Sequence, residues 1–421
     1  MSDNTLNEEM VSYVTRVRET LHQNPELSGC EIETSQLVFD HISELPNVGI
    51  VASRVGGGYG LLARIPATAG GGDKVPTIAL RGDMDSLPIQ EETGLEYASQ
   101  NPGIMAACGH DVHTAALLGA AQILATRKDR RFHTLLLFQG AEETGEGALQ
   151  LIRSGALEEV DVVIGGHVDI NLAVGCVALQ PGCVNASSDE FVIVVRGKGG
   201  HGARPHEGRD AIVVGAAIVS ALQTIVSRET DPGHTLVVSV GEFTAGSAPN
   251  IIAEEARMRG TMRARSMTTR EEGRASVDRI VMGIATAMGA SAEVEWNPVP
   301  GTPPVINPPD LAKAVRERML EAGLPSPHIE TLTDSMGYVN MGAEDYAWYG
   351  QGDGEFEPKP TLFARIGCTG PDNPNPAGAH SSRFAPHAGT VPTMTAYLVA
   401  AASAAAAHFS DNPSMPGLAL M

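Results

Sequence analysis

Phe132-His133-Thr134-Leu135-Leu136-Leu137-Phe138-Gln139-Gly140-Ala141-Glu142-Glu143 is the stretch on which the fold turns. Its centre is continuously apolar, with no alternation of wet and dry positions. A strand of that texture is buried on both faces, as strands in the middle of a parallel sheet are. The run ends in two adjacent carboxylates, so Glu142 and Glu143 are carried straight from the core to the edge where an open parallel sheet leaves a crevice.

The neighbouring segments supply the rest of such a sheet. Upstream, Met10, Val14, Val17 and Leu21 share one helical face, and Leu37, Phe39 and Ile42 mark a second short helix. The β-like runs 48–55, 59–65 and 77–81 follow, then a helix over 112–126 that is apolar or small all round and therefore buried. Downstream come a helix near 147–154 and a strand over 160–165. This alternation predicts an α/β fold, a sandwich around a mostly parallel sheet. The glycine clusters 56–58 and 70–72 read as loop tips. Neither leads into a helix bearing Lys-Ser/Thr, which argues against a phosphate-cradling loop.

From about residue 188 the pattern becomes strand 191–196, helix 209–227, strands 234–243 and 255–263, helix 270–288 and strand 291–296. That βαββαβ series fits a small ferredoxin-like α+β unit. A Pro-rich stretch, 297–309, then leads back to helix 311–322, strand 361–366 and a final helix. The expected organisation is a split first domain, residues 1–187 and 298–421, with residues 188–297 inserted.

Composition limits the partners. With 29 basic and 50 acidic side chains the formal charge is −21, which repels phosphate backbones and anionic lipid, so no nucleic acid and no membrane partner is expected. The start of the chain has no basic region followed by an apolar one, and the apolar run 396–409 reads as too short to cross a bilayer. Five scattered cysteines without a CxxC pair argue against a disulfide framework and for a reducing compartment, so the expected location is cytoplasmic.

Five clusters stand where this reading puts strand ends and loops: Asp83-Met84-Asp85, Cys108 to His113, Glu142-Glu143, His167 and His380-Ser381. A thiolate and an imidazole two residues apart suit a borderline-soft divalent ion. Cys108 and His110 are also compatible with a buried thiol beside a helix start. Adjacent carboxylates are costly unless a cation compensates them, yet a solvated acidic loop is the commoner case. His167 and His380 mean little singly, and Asp83 and Asp85 could be turn formers or could orient a ligating histidine. Together the clusters point to a metal centre.

Several phrases carry a family resemblance: Leu21-His22-Gln23-Asn24-Pro25-Glu26-Leu27-Ser28, Arg81-Gly82-Asp83-Met84-Asp85-Ser86-Leu87-Pro88, Cys108-Gly109-His110-Asp111-Val112-His113, Gly140-Ala141-Glu142-Glu143 and His380-Ser381. In this order they resemble the dinuclear metallo-amidohydrolase and carboxypeptidase family, in its branch of hippurate hydrolases, N-acyl-amino-acid deacylases and indole-acetyl-amino-acid hydrolases. The resemblance implies a zinc-peptidase-like α/β/α sandwich catalytic domain with an inserted dimerisation (lid) domain. It implies two divalent ions, Zn²⁺ or Mn²⁺ with Co²⁺ or Ni²⁺ as alternatives, held by Cys108, His110, Glu143, His167 and His380, with Cys108 bridging. Glu142 then corresponds to the general base for a metal-activated water, and Asp85 to the acid that orients a ligand.

In the inserted segment, Gly199-Gly200-His201-Gly202 resembles a dimerisation motif whose histidine, His201 here, stabilises the oxyanion in a partner's site. Asn250 and Arg263 match positions that bind the substrate carboxylate or the tetrahedral intermediate. Read without the family they are a turn residue and a surface cation. The implied substrate is an N-acyl amino acid or a dipeptide, and the implied assembly a homodimer or higher homo-oligomer. Ala379 and Ser382 depart from the family's usual Leu and Pro, without removing a ligand. Lys198 and Glu344-Asp345 also resemble family phrases and are given no catalytic role. Two alternatives remain: a cysteine hydrolase with Cys108 as nucleophile and His110 as base, and a non-catalytic metal- or ligand-binding relative.

Overall fold

A computed structural model of the chain describes residues 6–55, 58–69, 75–297, 301–324, 326–352 and 354–412. The glycine clusters at 56–57 and 70–72 lie outside the described residues. The chain divides into two compact units, one of Met1–Val184, Ile306–Val339 and Asp345–Met421, the other of Asn185–Val305 with Asn340–Glu344.

The first unit is built on an eight-stranded sheet. Its spatial order is Gly49–Val55, Gly60–Ile65, His133–Gln139, Thr77–Asp83, Val162–Ala173, Thr361–Thr369, Cys176–Ala178 and Thr331–Thr333. The four strands from His133–Gln139 to Thr361–Thr369 run parallel, and the two outermost on the 49–65 side are antiparallel. Leu135 to Phe138 are buried, as is the whole Thr77–Asp83 strand. Helices Glu8–Gln23, His110–Thr126 and Thr390–Asp411 supply Val14, Val17, Leu117, Leu118, Met394 and Leu398 to the same core.

Two expectations need adjusting. The strand carrying His167 does not stop at residue 165 but runs from Val162 to Ala173, so His167 lies within it, opposite Arg365. Gly165 and Gly166 do not interrupt it, because neighbouring strands hold both, and a side chain at Gly165 would meet Tyr346 at 2.8 Å. The C-terminal helix is 22 residues, long and apolar enough to cross a membrane by length and composition, as is Ala211–Glu229. In Thr390–Asp411, 78% of the apolar window is buried within the fold, which marks a core helix; in Ala211–Glu229 the figure is 33%.

The second unit has a four-stranded antiparallel sheet in the order Leu236–Ala245, Glu255–Ala264, Asp189–Arg196, Ser291–Trp296. Helices Ala211–Thr224 and Met267–Ala287 are its two crossovers, giving a ferredoxin-like βαββαβ order. Its separate core gathers Phe191, Ile193, Val214, Ile218, Met258 and Val281.

Candidate metal centre

The site grows from the turn into helix His110–Thr126. Gly109 takes φ +94°, and a Cβ there would meet Val168 at 2.5 Å, so only glycine lets Cys108 and His110 flank this tight entry. Cys108 Sγ lies 3.3 Å from His167 Nε2. Ligand atoms of Cys108, His110 and His167 fall within 4.8 Å of one another, as do those of Cys108, Glu143 and His380, and of His110, Glu142 and Glu143. Cys108, His110 and Glu143 thus each belong to two of these groups.

Hydrogen bonds decide which imidazole nitrogens are open. His110 Nδ1 faces two acceptors, the Asp85 carbonyl at 2.9 Å and Asp85 Oδ1 at 3.1 Å, so it carries the proton and leaves Nε2 bare. That Nε2 is buried without a hydrogen-bond partner, and so is Glu143 Oε1, 4.0 Å away. His167 Nδ1 donates to the Val168 carbonyl at 2.7 Å, which likewise turns its Nε2 lone pair toward Cys108. Orphaned buried atoms are rare in folded proteins, and two facing each other in a thiol, imidazole and carboxylate setting are donors placed to hold a cation. The donor set fits a divalent ion of the Zn²⁺ or Mn²⁺ kind.

Charge in the site points the same way. Burial alone would lower His110, but the Asp83 and Asp85 carboxylates and Cys108 outweigh it and raise the imidazole well above its ordinary range. The pocket therefore favours a positive charge at that nitrogen. Burial, reinforced by Arg365 and the other imidazoles, holds His167 well below the usual histidine range, hence neutral. Burial pushes the Cys108 thiol up to about 12, so without a cation it stays protonated.

Asp85 also accepts from Ser28 Oγ at 2.7 Å and from the Glu143 amide at 3.0 Å, so one carboxylate steadies both His110 and the 142–143 loop. Ala141 takes φ +57°, left-handed for a residue with a side chain, and its N–H donates to Glu31 Oε1 at 2.8 Å. His380 is also left-handed, φ +66°; it is 55% exposed and reaches Glu143 Oε1 at 3.4 Å.

His113 sits one turn beyond His110 but has no open nitrogen. Its Nδ1 lies 2.6 Å from Asp83 Oδ1, and its Nε2 accepts the Val168 amide at 3.1 Å. It ties Asp83 to the strand bearing His167. Sequence reasoning also gave Asp345 no role, although its amide donates to Glu142 Oε1 at 3.2 Å; its place in Gly342-Ala343-Glu344-Asp345-Tyr346 was the only signal.

The remaining candidates lie in the second unit. The Gly200–His201 strand pairs with Ile251–Ile252, and the Gly202 amide donates to the Asn250 carbonyl at 2.8 Å, so His201 and Asn250 share one small ribbon. Both are exposed. Arg263, half-buried, stands opposite Val237 near the end of Glu255–Ala264.

A mostly parallel sheet with a thiol, imidazole and carboxylate cluster beside a second carboxylate, Glu142, defines a metal-centre α/β hydrolase class. The profile of peptidase family M20/M25/M40 matches residues 79–403, and the chain belongs to that family. It is 42% identical over 302 residues to an N-acyl-L-amino acid amidohydrolase of Geobacillus stearothermophilus, covering 71% of this chain and 79% of the relative. It is 38% identical over 359 residues to an N-acetyl-L-cysteine deacetylase of Bacillus subtilis, with 84% and 80% covered. Among solved structures it resembles a dinuclear metal-binding peptidase of the M20 family from Bacillus subtilis, with TM-score 0.79, 29% identity, and 94% and 98% of the two chains covered.

Proposed function

We propose that this chain is a metal-dependent amidohydrolase that releases amino acids from their N-acyl derivatives or from small peptides, by way of two divalent ions held by Cys108, His110, Glu143, His167 and His380. The observation that carries the proposal is the meeting of these donors around the orphaned His110 Nε2 and Glu143 Oε1, with Glu142 next in the chain. When bound, such ions supply Lewis-acid polarisation of a carbonyl and bring the pKa of water from about 15.7 toward roughly 7.

The protein's own groups do the rest. Asp85 orients His110 and the Glu143 amide. Glu142 takes the proton of the attacking water and passes it to the leaving amine, a role typically contributing about 10²–10⁴-fold. His201, supplied by a second copy of the chain through its second unit, donates to the oxyanion. Asn250 and Arg263 take the substrate carboxylate. The second unit is thus assigned the role of an inserted dimerisation domain, and the cysteine pattern supports a cytoplasmic setting.

Burial of the Cys108 thiol, which keeps it protonated, counts against a cysteine-nucleophile reading. The test is amino-acid release by metal-loaded protein from a panel of N-acetyl, N-benzoyl and N-indoleacetyl amino acids and dipeptides. Activity should vanish with a chelator and return with Mn²⁺ or Zn²⁺. Glu142→Gln should lose about 10²–10⁴-fold in kcat with metal content unchanged. Full activity of that variant would remove the general-base role, and chelator-resistant turnover would remove the metal reading. Binding without turnover would mark a non-catalytic relative.

A further inference from the structure

Asp345 is buried, and its carboxylate accepts hydrogen bonds from Arg81, Gln139 and Ala148. Oδ1 accepts from Arg81 Nη2 at 3.0 Å and from Gln139 Nε2 at 2.8 Å, while Oδ2 accepts from Gln139 Nε2 at 2.8 Å and from the Ala148 amide at 2.9 Å. Gln139 is held in this orientation from its other end, because its Oε1 accepts from Arg81 Nε at 2.9 Å and from the Tyr349 hydroxyl at 2.8 Å. Arg81 is itself buried and also bonds Asp83 at 2.7 Å, the carboxylate that holds His113. The side chain of Asp345 is therefore immobilised by residues from three strands or helices. Its backbone N–H is the group that meets Glu142 Oε1, at 3.2 Å.

We propose that Asp345 is a positioning residue for Glu142: the buried Arg81–Asp345–Gln139 network fixes an amide that aims the Glu142 carboxylate. The inference rests on the general-base reading of Glu142. It goes beyond that reading because it links the base to the Asp83–His113 pair, through Asp345 and Arg81. A carboxylate hung on a flexible loop samples many directions. One oxygen pinned by a fixed N–H sets the direction of the whole carboxylate.

The variant Asp345→Asn keeps size and backbone but puts an amide nitrogen where Arg81, Gln139 or the Ala148 amide donates, so the network must shift. Outer partners of this kind typically cost 10–100-fold in activity when removed, so kcat should fall by about that factor, with KM and metal content per chain unchanged. The decisive readout is the double variant. If Asp345 acts through Glu142, Asp345→Asn should cost less than about twofold in a Glu142→Gln background, because the group it aims is already gone. The same loss in both backgrounds would overturn the proposal and leave Asp345 a structural residue. Wild-type activity of Asp345→Asn would overturn it as well.

Tyr349→Phe gives a gentler approach should Asp345→Asn fail to fold. It deletes only the hydroxyl at the far end of the network and should lower kcat about threefold, again only while Glu142 is present. An equal effect of Tyr349→Phe on both backgrounds counts against the proposal. Wild-type activity of Glu142→Gln would instead sink the general-base reading, an outcome separate from these.

Discussion

In the eight-stranded sheet, Thr77–Asp83 and His133–Gln139 are covered on both faces, whereas in the four-stranded sheet most of Leu236–Ala245 is exposed. Charge follows coverage. Around the first sheet Arg18, Arg81, Asp83, Asp85 and Asp111 are all buried, each bonded to a partner of opposite character. In the second, Arg196 pairs with Glu293 at 2.7 Å while both are more than half exposed. The same residue types are thus held in two solvents, although the second unit also buries one pair, Arg270 and Asp189 at 2.8 Å. In the buried one, geometry is enforced because an unpaired charge is very costly. In the exposed one, water competes and His201 and Asn250 must be held by backbone pairing instead.

The contrast can be broken first where it should be strongest. Arg18→Met leaves Asp111 a buried anion with only His22 beside it and should destabilise the fold by about 3–5 kcal/mol. Arg196→Ala in the second unit should leave the unfolding midpoint unchanged. Denaturant melts of the two variants side by side decide the matter, and equal losses would erase the distinction between the sheets.

His201→Ala should do the opposite of Arg18→Met. Exposed and bonded only locally, its side chain should leave stability unchanged, but if it is the oxyanion donor proposed above its loss should cost about 10²–10³ in kcat. A stability change without a rate change would return His201 to a structural role.

A smaller effect is expected from pH. Burial works to lower His22, but its bond to Asp111, with Glu91 also near and Arg18 opposing, leaves it raised. A histidine raised in the folded state adds stability that is complete below its unfolded value, about 6.5, and is lost as pH rises through the folded value. The margin between wild type and His22→Gln should therefore be greatest in mildly acidic buffer and shrink above pH 6.5. A margin that is flat with pH would show that the Asp111 pairing is not ionic.

The smallest expected change concerns the loop that carries Glu142 and Glu143. Ala141→Gly removes a left-handed strain and should raise stability by at most about 1 kcal/mol. It should also lower kcat a few-fold by loosening the turn that carries Glu142. Unchanged kcat would show that the turn does not aim the carboxylate.

Much of the fold was legible because burial writes itself into residue type. The apolar strand read over 132–139, the small-residue helix read over 112–126 and the βαββαβ alternation after residue 188 all appear in the architecture, as His133–Gln139, His110–Thr126 and the second unit. Less legible was any element defined by its neighbours. His167 looked like the last residue of a short strand, but pairing with Thr361–Thr369 extends that strand to Ala173.

What the sequence determined by itself is the inventory: a thiol and an imidazole two residues apart, and two carboxylates at the end of a core strand. What only the tertiary structure decided is the use of each donor. His110 and His113 are chemically identical and one turn apart. Asp85, 25 residues away in sequence, leaves the first with a bare Nε2, while Asp83 and Val168, 30 and 55 away, satisfy both nitrogens of the second. Asp345 reaches Glu142 across 203 residues. Residue type sets what a side chain can donate or accept; which of those capacities remains open depends on partners that only folding brings within about 3 Å.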